Sequence, residues 1–280
     1  MANELKLLIK SAKQGDAQAQ FEVGQRFYNG DGVGKNYGKA FAWFTKSAAQ
    51  GHAGGQCSLA GCYHFGLGVR KDNAKAFALF EKSANQGYAL AQYFLGMYYE
   101  FGAAMGIPRD LNKAVELYTL AAEQGLPQAQ HNLAQCYDMG DGVEKDQAKA
   151  FEWYLKSAEQ GYEKGEVSVA ICYMNGEGVK QDAQKAAYWC GIAAMHGNME
   201  AQFQMGMMYH EGNGVEQNYN KAFDWFSKSA QQGNPDAMYN LGVYYNVGIL
   251  TQDYNKAYYW FYQAAQRGHE AAREALADFQ

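Results

Sequence analysis

Residues 140–161 read GDGVEKDQAKAFEWYLKSAEQG, and residues 30–51 read GDGVGKNYGKAFAWFTKSAAQG. The two strings share their glycines, a Lys-Ala pair, a tryptophan and a closing Gln-Gly. Aligned on that closing glycine, the chain divides into seven units: 16–51, 52–87, 88–125, 126–161, 162–197, 198–233 and 234–268. The length varies only at the mid-unit turn, FGAAMGIPRD in the third unit and VGILTQD in the seventh. Indels confined to one turn are what a stack of helical hairpins tolerates.

Each unit carries two helical patterns. The first, as in DAMYNLGVYYNVG (236–248), repeats apolar residues at three- and four-residue spacing: Ala237, Leu241, Tyr244 and Tyr245. The position of Gly242 is Gly or Ala in every unit (Gly24, Ala60, Gly96, Ala134, Ala170, Gly206), so a second helix can approach closely there. A glycine ends this helix each time, at Gly30, Gly66, Gly102, Gly140, Gly176, Gly212 and Gly248. That is the left-handed C′ position, where a missing Cβ removes the steric cost. Asn36, Asp72, Asp110, Asp146, Asp182, Asn218 and Asp253 then read as N-caps of the second helix.

Trp43, Trp153, Trp189, Trp225 and Trp260 share one repeat position, filled by Leu79 and Leu117 in the other two units. Leucine replaces tryptophan where volume matters, so the series is expected in the core, with Trp153 buried between helices. The lysine of each Lys-Ala pair, Lys39 to Lys256, is expected to lay its stem over a helix with its amine in water. The expected architecture is all-α: one solenoid domain over 1–280, with a capping helix at 1–15, seven repeats over 16–268 and a capping helix at 269–280. Glu270, Arg273, Glu274 and Asp278 suit the polar outer face of that last helix.

The ordered pattern Ala…Leu-Gly…Tyr…Gly-x-Gly-Val…Asp…Lys-Ala…Trp…Ala…Gln-Gly resembles the Sel-one-like repeat family, relatives of tetratricopeptide repeats, across nearly the whole chain. The resemblance implies a right-handed superhelix of antiparallel helix pairs. It also implies a role in holding other proteins together, as a non-catalytic scaffold or adaptor.

Composition narrows the alternatives. Charged residues make up 19% of the chain and the net charge is −5, with no basic cluster, so no nucleic-acid partner is expected. No apolar run reaches the ~18 residues of a membrane span. The opening MANELKLLIKSAKQG has charges within its apolar stretch, which points to the cytoplasm; a periplasmic or secreted location would follow if a leader had been removed.

Catalytic motifs are missing: no S-x-x-K, G-x-S-x-G, HExxH or Walker A occurs. The GDGVEKD turns lack the alternating ligands of a calcium loop. No enzyme activity, cofactor, metal or small-molecule substrate is therefore expected. Cys57, Cys62, Cys136, Cys172 and Cys190 are odd in number and irregular in spacing, and read as buried reduced thiols, although Cys172 and Cys190 could approach across one hairpin. A cysteine-rich secreted branch of the family, linked to cell-wall or β-lactam ligands, carries a regular pair in each repeat, unlike this chain. That branch and a self-assembling structural module remain the rival readings.

By analogy with tetratricopeptide stacks, first helices line a concave groove with the third, sixth, tenth, thirteenth and fourteenth positions of each unit outside the core. Sixth and tenth positions are rich in aromatic and apolar residues. The candidate partner-binding residues are Phe21, Tyr93, Met97, His131, Gln135, Phe203, Met207 and Tyr239. Tyr93, Met97, His131 and Gln135 would form one patch, and Phe203, Met207 and Tyr239 a second. His64, His131 and His210 are expected at the surface or in the groove, and Glu100, Asp138 and Glu211 at its edge, where they could read a basic partner.

Overall fold

A computed structural model describes residues 2–277 and 279, so Asp278 lies outside the described residues. Among these there are helices and turns and no strand. Helix α1 (Ala2–Lys13) is followed by seven first helices: α2 (Ala17–Asn29), α4 (Ala53–Phe65), α6 (Ala89–Phe101), α8 (Pro127–Met139), α10 (Glu163–Asn175), α12 (Met199–Glu211) and α14 (Pro235–Val247). They alternate with second helices α3 (Tyr37–Ala49), α5 (Asn73–Ala84), α7 (Leu111–Glu123), α9 (Gln147–Glu159), α11 (Ala183–Met195), α13 (Tyr219–Gln231) and α15 (Tyr254–Gln266), and α16 (Glu270–Ala277) comes last. The chain forms two compact units, Met1–Asp146 and Gln147–Gln280. Within each, every helix packs on the next in sequence: α1 on α2 through α7 on α8 in the first, and α9 on α10 through α15 on α16 in the second. Each unit is thus a stack of helix pairs, the all-α solenoid expected from the repeats.

The helix ends follow the sequence closely. Asn36, Asp72, Asp110, Asp182, Asn218 and Asp253 each accept a hydrogen bond from the backbone N–H three residues on, at 2.9–3.1 Å. Gly30, Gly66, Gly140, Gly176, Gly212 and Gly248 adopt the left-handed conformation. Gly102 departs from it, with φ 43° and ψ −103°, because the longer third-unit loop continues into a 3-10 turn at Gly102–Met105.

The core is built on second helices. The alanine of each Lys-Ala pair is buried, and one turn later comes a buried Phe44, Phe80, Tyr118, Tyr154, Cys190, Phe226 or Phe261. The small residue of the first helix makes room for that ring: a Cβ on Gly24, Gly206 or Gly242 would meet Phe44, Phe226 or Phe261 at 2.5 Å. The tryptophan series is corrected here. All five rings are half-buried, one position before the buried core residue. Trp43 leans on the cluster of Ala12, Ala19 and Val23, and Lys46, Lys156 and Lys228 lie 3.9–4.5 Å above Trp43, Trp153 and Trp225. A shared repeat position reports a packing role, and this one packs at the rim. The Lys-Ala lysines lie over first-helix rings: Lys39 over Phe27, Lys75 over Tyr63 and Lys221 over Tyr209, at 5.1–5.3 Å. Such a contact contributes about 0.5–1 kcal/mol at an exposed site.

The Gln that precedes the closing glycine in five of the seven repeats has a structural reason too. Gln50, Gln86, Gln124 and Gln232 donate to the buried Gln20, Gln56, Gln92 and Gln202 at 2.7–2.8 Å. Gln20 and Gln202 in turn donate to the carbonyls of Ala12 and Ala194, tying one hairpin to the last turn before it. The fifth repeat replaces both amides with an acid and an imidazole: Glu166, 1% exposed, faces His196, whose Nδ1 lies 3.0 Å from Glu166 Oε2. His196→Ala should therefore destabilise the fold by about 1–3 kcal/mol, the cost of a buried acceptor left without its partner. Glu166→Gln in the same background should recover most of that loss, since a neutral amide serves in the equivalent places. Urea unfolding of the single and double variants checks this; a double variant no more stable than His196→Ala contradicts it.

Candidate functional site

The five cysteines are free and buried. Burial pushes the thiols of Cys57, Cys136 and Cys190 up to about 12 and that of Cys62 up to about 11, so the reactive thiolate is disfavoured at all four. Among the described residues no three His, Cys, Asp or Glu side chains are grouped to hold a metal ion.

Of the three first-helix histidines, His131 differs from its expected placement, while His64 and His210 are half-buried. His131 is buried, 5% exposed. His64 Nδ1 lies 2.9 Å from the Tyr98 hydroxyl and His210 Nδ1 2.8 Å from the Tyr244 hydroxyl, each linking one first helix to the next. Burial, and then the charge of Lys71, lowers the His64 pKa below the usual histidine value. His52 and His269 act as N-caps, accepting from the backbone N–H of Gly55 and Ala272.

The first-helix face sorts the candidate residues into a wall and a surface. Sixth-position residues form the wall. Phe21 is buried, its ring 6.2 Å from Phe44 and 5.1 Å from the His52 ring. Tyr93 is half-buried beside Phe94 and Tyr118, Phe203 lies 5.9 Å from Phe226, and Tyr239 stacks on His269 at 4.5 Å. Phe21 and His131 are corrected from groove surface to packed interior: Phe21, 8% exposed, is covered by Phe44 of its own second helix and by His52 at the start of the next hairpin, and His131 is buried as deeply. Tenth-position residues are the surface. Gln25 and Ile171 are exposed, and Met97, Gln135, Met207 and Val243 are half-buried.

The fourteenth position, of which only Glu211 stood out in the sequence, holds a row of exposed apolar side chains within Met1–Asp146: Phe65, Phe101 and Met139, 49–65% exposed. The signal for it was present, because each directly precedes a helix-ending glycine, where an apolar residue has no core to enter. Glu100 and Asp138 stand beside Phe101 and Met139, both half-buried. Glu100 accepts a short hydrogen bond from the Tyr118 hydroxyl. Burial first, then that carboxylate, raises the Tyr118 pKa well above the ordinary tyrosine value.

A Sel1 repeat model matches residues 17–52, 53–88, 89–126, 127–162, 165–198, 200–234 and 235–269. The chain is similar to a crystallised protective antigen of uropathogenic Escherichia coli strains described as displaying an SLR fold: 34% identity, TM-score 0.89, covering 98% of this chain and 58% of the antigen. It is also similar to a Sel1 repeat protein from Oxalobacter formigenes, at 36% identity and TM-score 0.74, covering 100% of this chain and 80% of that one. The chain thus spans a little over half the length of the E. coli protein. No curated protein matches it. With seven matched repeats running from residue 17 to residue 269, the chain belongs to the Sel1 repeat family, whose members generally serve as protein-interaction scaffolds.

Proposed function

We propose that this protein is a non-catalytic adaptor that docks a protein or peptide partner on its first-helix face. The observation that carries this reading is the paired rows of that face: Met97 and Gln135 at the tenth position, with Phe65, Phe101 and Met139 exposed at the fourteenth. Isolated exposed apolar residues are ordinary, but a row recurring at one repeat position over successive helices forms a patch, and patches mark interaction surfaces. In the second unit Met207 holds the same tenth position, with Tyr239 in the sixth-position wall. Phe21, Tyr93, His131 and Phe203 support the rings beneath, and act by holding the surface in place. No helix among the described residues is long and apolar enough to cross a membrane.

The test uses surface residues and leaves Tyr93, which packs on Tyr118, untouched. Met97→Ala with Phe101→Ala should keep the wild-type melting temperature within a few degrees. It should weaken a partner isolated with the wild-type chain by at least about 1 kcal/mol, the threshold of an energetically important contact. A folded double variant that binds that partner as tightly as wild type overturns the assignment of this face.

A further inference from the structure

We infer that the α4–α8 stretch of this face docks a basic amphipathic segment of the partner. One apolar side chain of that segment sits in a hollow at Gly61, and a lysine or arginine stands against Asp138. This rests on the docking reading above and names the partner's chemistry.

The hollow comes from a missing side chain. Gly61 occupies the tenth position, where the flanking repeats carry Gln25 and Met97, and a Cβ built on it would meet nothing within 4 Å. The space left is about 290 Å³, with Phe44, Cys57, Phe65, Leu90 and Phe94 on its apolar side and Gln25, Tyr28, Asn29 and Ser58 on its polar side. That is at the lower edge of the ~300–1,000 Å³ of small-molecule pockets, a size suited to one apolar side chain of a larger partner. Phe65 and Leu90, 55% and 37% exposed, form a lip that an entering side chain would cover.

The charge of the surrounding face selects the rest of the segment. Helices α4, α6 and α8 contain no lysine and no arginine, and their only acidic residues are Glu100 and Asp138; the cations nearest them come from the following turns, Lys71 near His64 and Arg109, whose Nε donates to the Glu100 carbonyl at 3.0 Å. Both stand directly before exposed apolar residues, Phe101 and Met139. A partner that covers those residues takes water from the carboxylates beside them, which costs free energy unless a cation replaces the water. An acidic segment would meet like charge, and a neutral one would leave the carboxylates uncompensated. Glu100 is already held by the Tyr118 hydroxyl, which leaves Asp138 as the principal contact for a cation. The stretch crosses two helix spacings of about 8–10 Å each, roughly 20 Å in all. An extended segment of about six residues spans that length.

Random peptides displayed on phage and selected against the full chain test the inference, with affinities of the selected peptides then measured in solution. The expected peptides combine Phe, Leu or Trp with Lys or Arg and carry net positive charge. Gly61→Met fills the hollow with the residue of the equivalent positions Met97 and Met207, and should fold at least as well as wild type because it removes a helix-interior glycine. It should weaken the selected peptides roughly tenfold or more, and Asp138→Asn should weaken them several-fold with a shallower dependence on salt. Selected peptides of neutral or acidic character, no selected peptides, or affinities unchanged by Gly61→Met overturn the inference. Acidic peptides that lose binding on Met97→Ala with Phe101→Ala would leave the docking face standing and remove only the basic partner. Peptides indifferent to every variant would remove both.

Discussion

Gly214→Ala is expected to destabilise the protein by at least about 1–3 kcal/mol, the cost of a non-glycine residue held in a left-handed conformation. Gly191→Ala is expected to stabilise it by about 0.5–1 kcal/mol. The same methyl group has opposite effects because the surroundings differ. Gly214 is the second glycine of a Gly-x-Gly-Val turn, with φ +73°, and a Cβ there would run into the carbonyl oxygen of Ala183, at the start of the preceding repeat's second helix. Backbone cannot swing aside as a side-chain tip can, so the collision adds to the conformational cost. Gly68, Gly142 and Gly178 face Tyr37, Leu111 and Gln147 in the same way. Gly191 lies within α11 with ordinary φ, and its nearest neighbours are the side-chain tip atoms of Met205 at 3.9 Å. Gly32 gives a graded intermediate: its φ is +71°, but a Cβ would meet only Leu5 at 3.7 Å, so Gly32→Ala should cost less than Gly214→Ala. Urea midpoints of the three variants check the order; equal losses at Gly32 and Gly214 would show that the turn does not bear on the preceding hairpin.

Phe226→Ala should cost about 3–5 kcal/mol, in the range of buried aromatic truncations. Its side chain is fully buried among Ala222, Leu241 and Tyr244, and its ring fills the space that Gly206 leaves open. Trp225→Ala, the adjacent and larger truncation, should cost about half as much, because the ring is half-buried, with the Lys228 amine 3.9 Å above its face. Thermal unfolding of both variants compares them directly. A Trp225→Ala loss equal to or above that of Phe226→Ala would restore the tryptophans to the core.

That pair shows where the sequence is legible and where it stops. Glycines with positive φ and the Asn and Asp caps announce themselves because each meets a local backbone requirement that recurs from repeat to repeat. Depth of burial is not local. Trp225 and Phe226 recur with the same period, and only the packing of one hairpin on the next decides which ring is covered. The same applies to Phe21 and His131, whose exposure is removed by neighbouring helices that the sequence of α2 or α8 does not mention. The buried Glu166 facing His196 was equally silent, since its meaning appears only beside the Gln-Gln pairs of other repeats. The exposed row of Phe65, Phe101 and Met139 was legible in principle from its place before the terminal glycines. What such a row binds is not legible, because an exposed apolar side chain names no ligand by itself.

Site-specific photo-crosslinking tests the docking face most directly. A photoreactive amino acid is placed at Met97 on the first-helix face, or at the exposed Glu81 on the second helix α5, in otherwise unchanged chains. Each chain is irradiated with the isolated partner. The account predicts a crosslinked product from position 97 and little or none from position 81. A product formed predominantly from position 81 would place the partner on the second helices and contradict it.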